Sequence, residues 1–151
     1  MKTSQIRTAK RKTWQAVSRF IRTRDPLCVT CLMAGKQTPS TEAGHYKHTS
    51  DKGNAQLGGN EVWYDARNLN GQCGTCNRWN SGELDLYGLY LEKTYGFGIC
   101  QELNKLYNTP KKWTLEMLAD VRAAYERRTA ILQRNRSTNE IEHEILLDIL
   151  Q

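Results

Sequence analysis

A chain of 151 residues with 38% apolar and 25% charged side chains is long enough to bury the core of one domain without a set of disulfides. It holds no apolar run of membrane-spanning length and no secretory core, so it reads as a soluble, unexported protein of the cytoplasm with no membrane partner. Its formal charge of +6 is modest but unevenly spread: the first 24 residues carry Lys2, Arg7, Lys10, Arg11, Lys12, Arg19, Arg22 and Arg24 and no acid, whereas the tail from Asn139 holds Glu140, Glu142, Glu144 and Asp148 with no Lys or Arg.

The segment Thr3 to Arg24 reads as a helix, with Trp14, Val17, Phe20 and Ile21 at helical spacing and basic residues on the other faces. Such a basic arm suits DNA, with Lys10, Arg11 and Lys12 as candidate contacts, although a solvated helix face has the same composition. Asp25-Pro26 ends the helix, because the residue before a proline is pushed out of helical geometry. Gly35, Pro39, Gly53, Gly58 and Gly59 then punctuate a small, loop-rich β region, with candidate strands at Ala43 to Lys47 and Val62 to Tyr64 and an exposed loop from Thr49 to Asn60. A short helix begins at Asn77 to Trp79, and a helical run from Leu84 to Leu106 breaks at Gly96 and Gly98. Thr114 is the N-cap candidate for a long helix carrying Leu115, Leu118, Tyr125 and Leu132 at the helical period. A second, amphipathic tail helix after Asn139 is too small to fold alone, and it is expected to dock on the body or on a second copy in a homodimer. The chain therefore divides into a basic N-terminal helix (1–25), a core (26–96) and a helical C-terminal extension (97–151).

Four of the five cysteines fall into two identical units, Cys28-Val-Thr-Cys31 and Cys73-Gly-Thr-Cys76. Four thiolates close a tetrahedral zinc shell, and each two-residue spacer lets one tight turn aim both sulfurs at one ion. A closed shell leaves no position for water, so this zinc is expected to be structural. Cys100 is left over as an ordinary free thiol. Trp79, Trp63 and Tyr46 read as core or zinc-shell aromatics rather than as surfaces for stacking bases.

Between the two units lie Ala43-Gly44-His45-Tyr46 and Arg67-Asn68-Leu69-Asn70, and Asn77 follows the second unit directly. A histidine, an Asn-Leu step and a final asparagine in this order resemble the motif of HNH nucleases that carry a four-cysteine zinc. The flanks AGHY, WYDARNLNGQCGTCN and NSGELDLYGLYLEKTYG are similar to the phage NinG/Rap recombination family from roughly Cys28 to Gly96, with a looser likeness in KKWTLEMLADVRAAYE. The resemblance implies an α+β fold, a zinc-stapled ββα-metal (HNH-like) core flanked by N- and C-terminal helices. It also implies an endonuclease that cuts branched DNA, such as Holliday junctions or D-loops, with magnesium or manganese in the bacterial host cytoplasm.

Carried over by residue, the likeness implies that His45 is the general base, a role suited to an imidazole that is neutral near pH 7. Asn68 is implied to hold the loop and orient the histidine, and Asn77 to offer a carbonyl oxygen to the divalent ion. Many HNH enzymes have an acid immediately before the histidine, where this chain has Gly44. Asp65 is the candidate for the missing carboxylate, although a turn or cap role fits it equally, so the expected ligand set is His45, Asp65 and Asn77. His48 would point away from His45 if both lay in one strand. Arg67 and Arg78 are candidate phosphate contacts. Two other readings stay open: a general HNH nicking enzyme, and a non-catalytic zinc-stabilised nucleic-acid binding module, which Gly44 favours.

Overall fold

The computed structural model describes residues 2–48 and 59–149, and the side chains of 139–149 lie outside that description. Helix α1, Lys2–Arg24, buries one face through Ala16, Val17, Phe20 and Ile21. Those side chains share a core with Leu118 and Tyr125 of the long helix α5, Leu115–Ile149, and the two helices pack along each other. The apolar spacing of α1 accounts for this directly, since one stripe of the helix is the only part that leaves water. Across the interface Thr13 donates its hydroxyl to the Leu118 carbonyl at 3.0 Å.

The end of α1 is tied to the β ribbon by charge. Arg24 holds Asp25 at 2.7 Å and also donates to the Leu69 carbonyl and the Asn70 amide oxygen, both at 2.8 Å. Asp25 in turn accepts from the Gly71 N–H at 2.9 Å. The residues expected only to stop the helix therefore also dock it.

The sheet is one antiparallel pair, β1 (Glu42–His45) with β2 (Leu69–Gln72), in the register Glu42 opposite Gln72 and His45 opposite Leu69. The expected first strand is present. The second is not at Val62 to Tyr64: Glu61–Tyr64 forms a 3₁₀ turn that buries Val62, Trp63 and Tyr64, and the pairing strand begins five residues beyond that turn. Tyr64 is anchored there by the Tyr125 hydroxyl, which donates to its carbonyl at 2.6 Å.

The first cysteine unit runs into α2, Val29–Met33, which holds Cys31, and the second, directly after β2, runs into a five-residue π-helical turn, Thr75–Trp79, which holds Cys76. Helix α3, Leu84–Tyr95, and helix α4, Ile99–Tyr107, are separated by Gly96 and Gly98, whose φ values of +94° and +97° suit glycine. Tyr87, Leu91, Ile99 and Leu103 form a second core with Val29 and Val62. Thr114 caps α5 as expected, its hydroxyl accepting from the Met117 N–H at 3.2 Å.

The expected separate tail helix is instead a continuation of α5, which runs through Asn139 without a break. No glycine or proline interrupts residues 115–149, so nothing in the backbone forces a stop. The amphipathic surface expected of the tail, and residues 49–58 of the expected loop, lie outside the described residues. No helix among the described residues is long and apolar enough to cross a membrane.

Replacing Tyr125 by Phe removes the donor to the Tyr64 carbonyl and leaves that buried acceptor unpaired. The expected loss of stability is about 1–3 kcal/mol by urea unfolding. A change close to zero would mean that the long helix does not rely on this bond.

Candidate active site and metal centre

The four cysteines expected to act together do converge: their sulfurs all lie within 4.8 Å of one another, and all four residues are buried. Cys31 Sγ stands 3.6 Å from Cys76 Sγ and 3.9 Å from Cys73 Sγ. Tetrahedral zinc with sulfur at ~2.3 Å separates its ligands by roughly 3.8 Å, so the donor set fits a zinc ion. Burial pushes the Cys76 thiol up to about 12, whereas at Cys28 the Thr30 hydroxyl and nearby backbone groups outweigh burial and bring the thiol down to about 7. Four thiolates are not stable together here without a positive ion among them.

His45 ends β1 on the face that meets α1. Its ring stacks on Trp14 at 5.0 Å and lies 4.2 Å from Trp63, and the residue is 8% exposed. Nε2 sits 3.1 Å from the Trp63 carbonyl oxygen. A carbonyl only accepts, so Nε2 carries the proton and Nδ1 keeps its lone pair. Burial lowers the imidazole to about 3, against a weaker upward pull from that carbonyl, so the ring is neutral throughout the ordinary pH range.

Asn68 is wholly buried and acts on the loop after His45. Its amide oxygen accepts from the Lys47 N–H at 2.7 Å, and its amide nitrogen donates to the carbonyls of Lys47 at 3.2 Å and Val62 at 3.3 Å. These bonds lash residues 46–48 to the 3₁₀ turn that carries Trp63. His48 is exposed, and its ring lies 5.9 Å from that of His45 rather than on the far side. The strand has ended by then, so strict alternation does not carry that far.

Asn77 lies on the other side of β1. Successive strand residues point to opposite faces, and an ideal Cβ on Gly44 would stand 2.9 Å from Asn77 Oδ1 and 2.0 Å from Gln72 Oε1. His45 and Asn77 are thus brought to neighbouring positions of one strand but to its two faces, and they do not share one pocket. The Asn77 amide nitrogen donates to Glu42 Oε2 at 2.7 Å, and Arg78 pairs with Glu42 Oε1 at 2.6 Å. Glu42 is therefore the carboxylate beside Asn77. Sequence reasoning missed it, although its place two residues before Gly44 puts it on Gly44's face of the strand.

Asp65 is occupied elsewhere. Both of its oxygens accept from Arg67, whose backbone N–H it also receives, and Arg67 reaches on to Glu102 at 2.6 Å. This is the turn role weighed for Asp65, and it ties up the Arg67 guanidinium as well. Arg78 is two-thirds exposed. Lys10 is partly buried, and Arg11 and Lys12 are exposed on α1, where Lys12 borders a groove between α1 and α5 that also takes in Arg19 and Arg122. Trp63 is core as expected, and Tyr46 is partly buried beside Tyr87. Trp79 is the exception, 82% exposed at the end of the π-helical turn. Cys100 is free and half-buried.

The family model described as "NinG: Bacteriophage Lambda NinG protein" matches residues 2–135. The chain belongs to the NinG family. It is 32% identical over 124 residues to "Protein ninG" of Escherichia phage lambda and to that of Escherichia phage 933W, and 31% identical to that of Salmonella phage P22. Each alignment covers 82% of this chain but only 56% or 57% of the relative, so the chain spans little more than half the length of the curated relatives it matches. No solved structure matches it. In this member of the NinG family a four-cysteine cluster that could bind zinc is joined to a small α+β body.

Two outcomes follow. The purified chain should carry one zinc per molecule, and Cys73→Ser should lose both the ion and the cooperative thermal transition, read by metal analysis and circular dichroism. A zinc-free wild type that melts at the same temperature as the loaded protein would sink this. The second concerns acid. Because His45 is depressed from 6.5 to about 3, its contribution to stability is complete above pH 6.5 and drains away as the pH falls towards 3. His45→Phe should lose that share of acid sensitivity, while the thiolate contribution is common to both proteins. Parallel stability curves for the two proteins across this range would contradict a buried neutral imidazole.

Proposed function

We propose that the protein is a metal-dependent endonuclease that cuts branched DNA, with His45 as its general base. The observation that carries this reading is the state of His45: a neutral imidazole, proton fixed on Nε2 by the Trp63 carbonyl, with Nδ1 left as an acceptor at a strand end. A general base needs a neutral ring with one nitrogen lone pair left to accept, and this tautomer supplies it. The order of His45, Asn68 and Asn77 around the second cysteine pair, and the activity implied by the HNH-like resemblance, point the same way.

In this reading Nδ1 takes a proton from the attacking water, and the Trp63 carbonyl stabilises the imidazolium that results. Asn68 acts on geometry, since it fixes the backbone on either side of Lys47, the segment that follows His45. A divalent cation such as magnesium or manganese supplies charge neutralisation at the scissile phosphate and at the leaving 3′ oxygen. Asn77 is the residue of the expected set that faces Gly44 and could hold it. The phosphate would then meet the base and the cation from the two sides of the end of β1.

Arg78 is exposed enough to exchange Glu42 for a phosphate, whereas Arg67 would first have to release two acids. Lys10, Arg11 and Lys12 supply backbone contacts away from the cut. Trp79 gives an exposed aromatic face next to Arg78, suited to an unstacked base at a branch point. Incision of two strands calls for two copies of the site, which a homodimer provides.

A zinc-stabilised nucleic-acid binding module without catalysis is the second reading, and Gly44 in place of an acid favours it. One assay separates the readings. Labelled four-way junction, linear duplex and single strand are incubated with the zinc-loaded protein and magnesium or manganese. The junction should be cut in preference, and His45→Ala should reduce cutting by roughly 10²-fold or more while zinc content and junction binding stay as in wild type. Binding without cutting would leave the binding module standing, and equal cutting of linear duplex would point to a general nicking enzyme.

A further inference from the structure

We infer that the groove between α1 and α5 holds the phosphodiester backbone of a second arm of branched DNA. This deepens the nuclease reading and rests on it for the kind of DNA bound, while the chemistry of the groove stands on side chains within the chain.

The two helices pack through Val17, Phe20, Leu118 and Tyr125. On one flank of that contact the groove is bordered by Ala16 and Ala130, small side chains that leave a trench of about 480 Å³. That is many times the ~30 Å³ share of one water molecule, so there is room for an extended ligand. The walls are cationic. Lys12 and Arg19 come from α1 and Arg122 from α5, and Glu126 is the one acid among the described residues that border the groove. Among the described residues neither Lys12 nor Arg19 has an acidic partner. Glu126 lies 3.6 Å from Nε of Arg122, and that Nε has no hydrogen-bond partner. An exposed pair of this kind is weak, so the guanidinium can exchange the carboxylate for phosphate oxygens, which fit its forked donors.

The neutral members also favour a phosphate backbone. Gln15 and Gln133 offer amide donors, and side-chain amides share the phosphate contacts of DNA complexes with Lys and Arg. A protein partner would want large apolar or aromatic side chains to anchor it, whereas alanine is the only apolar residue type among the described residues of the groove. Lys12 and Arg19 stand two turns apart on α1, about 10 Å, which matches the axial rise of about three phosphates along one strand.

The position of the groove gives it a separate arm. At 3.6 residues per turn, Trp14 lies about 140° to 160° round α1 from Arg19 and Lys12. Trp14 is the residue that stacks on His45, so the groove and the proposed base occupy opposite flanks of a helix about 10 Å thick. A straight duplex docked at His45 would have to bend round α1 to enter the groove. The arms of a junction diverge from one point and reach both flanks without bending. Preference for a branch then comes from two linked contacts, each to ordinary backbone.

The test uses the full-length, zinc-loaded chain without magnesium or manganese, so that binding is read apart from cutting. Fluorescence anisotropy follows a labelled four-way junction and a linear duplex of matching sequence. Lys12→Gln/Arg19→Gln/Arg122→Gln should weaken junction binding by about tenfold or more and duplex binding, which can still use the other flank, by about twofold or less. For the junction, the slope of log affinity against log salt should become shallower by about 2 to 3, close to one for each cation removed. A control that removes the same charge at exposed positions elsewhere, Lys93→Gln/Lys105→Gln/Arg127→Gln, should bind both DNAs as wild type does. Zinc content and circular dichroism report folding. If the groove variant fails to fold, the single changes Lys12→Gln and Arg19→Gln, both at exposed positions, decide by the same signs. A folded groove variant that binds the junction like wild type, a control that loses as much, or equal losses for junction and duplex overturns the inference. So does polyglutamate that displaces the junction as well as unlabelled junction of equal charge, which would give the groove to an acidic protein segment. The expected binding pattern without junction cleavage in magnesium or manganese keeps the groove and removes the nuclease reading. Junction cleavage by a groove variant whose binding is unchanged keeps the nuclease and removes the groove.

Discussion

Four sulfurs within 4.8 Å of one another are the constraint on which the rest of this small body depends. They join the turn after α1 to the turn after β2, two places far apart in sequence, and so they close the chain around the ribbon. Helix α2 begins at the first cysteine unit and the π-helical turn at the second, so their positions are set by the same cluster. Asn77 and Arg78 project from that turn, and Gln72 immediately precedes it. A two-stranded ribbon of four-residue strands has little stability of its own. Here it is clamped at one end by sulfur, at its middle by Arg24 and Asp25, and through Ala43 and Leu69 by the core shared with α1.

Alternation along β1 then divides the chemistry. Ala43 and His45 face α1 and its aromatic residues, while Glu42 and Gly44 face the amides of Gln72 and Asn77. One side is dry and aromatic, and it produces a neutral imidazole. The other is polar, with the Glu42 carboxylate held by Arg78 and the Asn77 amide. Adjacent residues of one strand thus sit in opposite electrostatic environments, which a single pocket could not maintain as well.

What could be read in the sequence was what local spacing encodes. The cysteine pairs, the apolar stripe of α1, its stop at Asp25-Pro26 and the Thr114 cap all depend on residues within one or two turns of each other. The second strand was not legible, because Leu69-Asn70-Gly71-Gln72 is mostly polar or glycine, yet it is wholly buried. The Asn70 amide bonds to Arg24 and Tyr87 and the Gln72 amide nitrogen to Gly82, partners that lie outside the strand and its local spacing. The apolar triplet Val62-Trp63-Tyr64 has strand composition, but tertiary packing takes it into a 3₁₀ turn between the two cores. Glu42 was hidden for a related reason. Its role appears only once the register sets it opposite Gln72 and the second cysteine turn delivers Asn77.

An imidazole depressed to about 3 looks at first too weak to serve as the proposed base near neutral pH. The difficulty is one of proton affinity and not of availability, since the ring is unprotonated throughout that range. Burial is the main cause of the depression, and a buried group responds strongly to any charge that enters its surroundings. A phosphodiester brought close to the ring would add a negative charge that favours the imidazolium, so proton affinity would rise when such a substrate is bound and fall when it leaves. In the cleavage reading the aromatic walls of Trp14 and Trp63 therefore do more than support the ring. There they would keep the proposed base neutral in the free protein and would make its strength depend on the anion it acts upon.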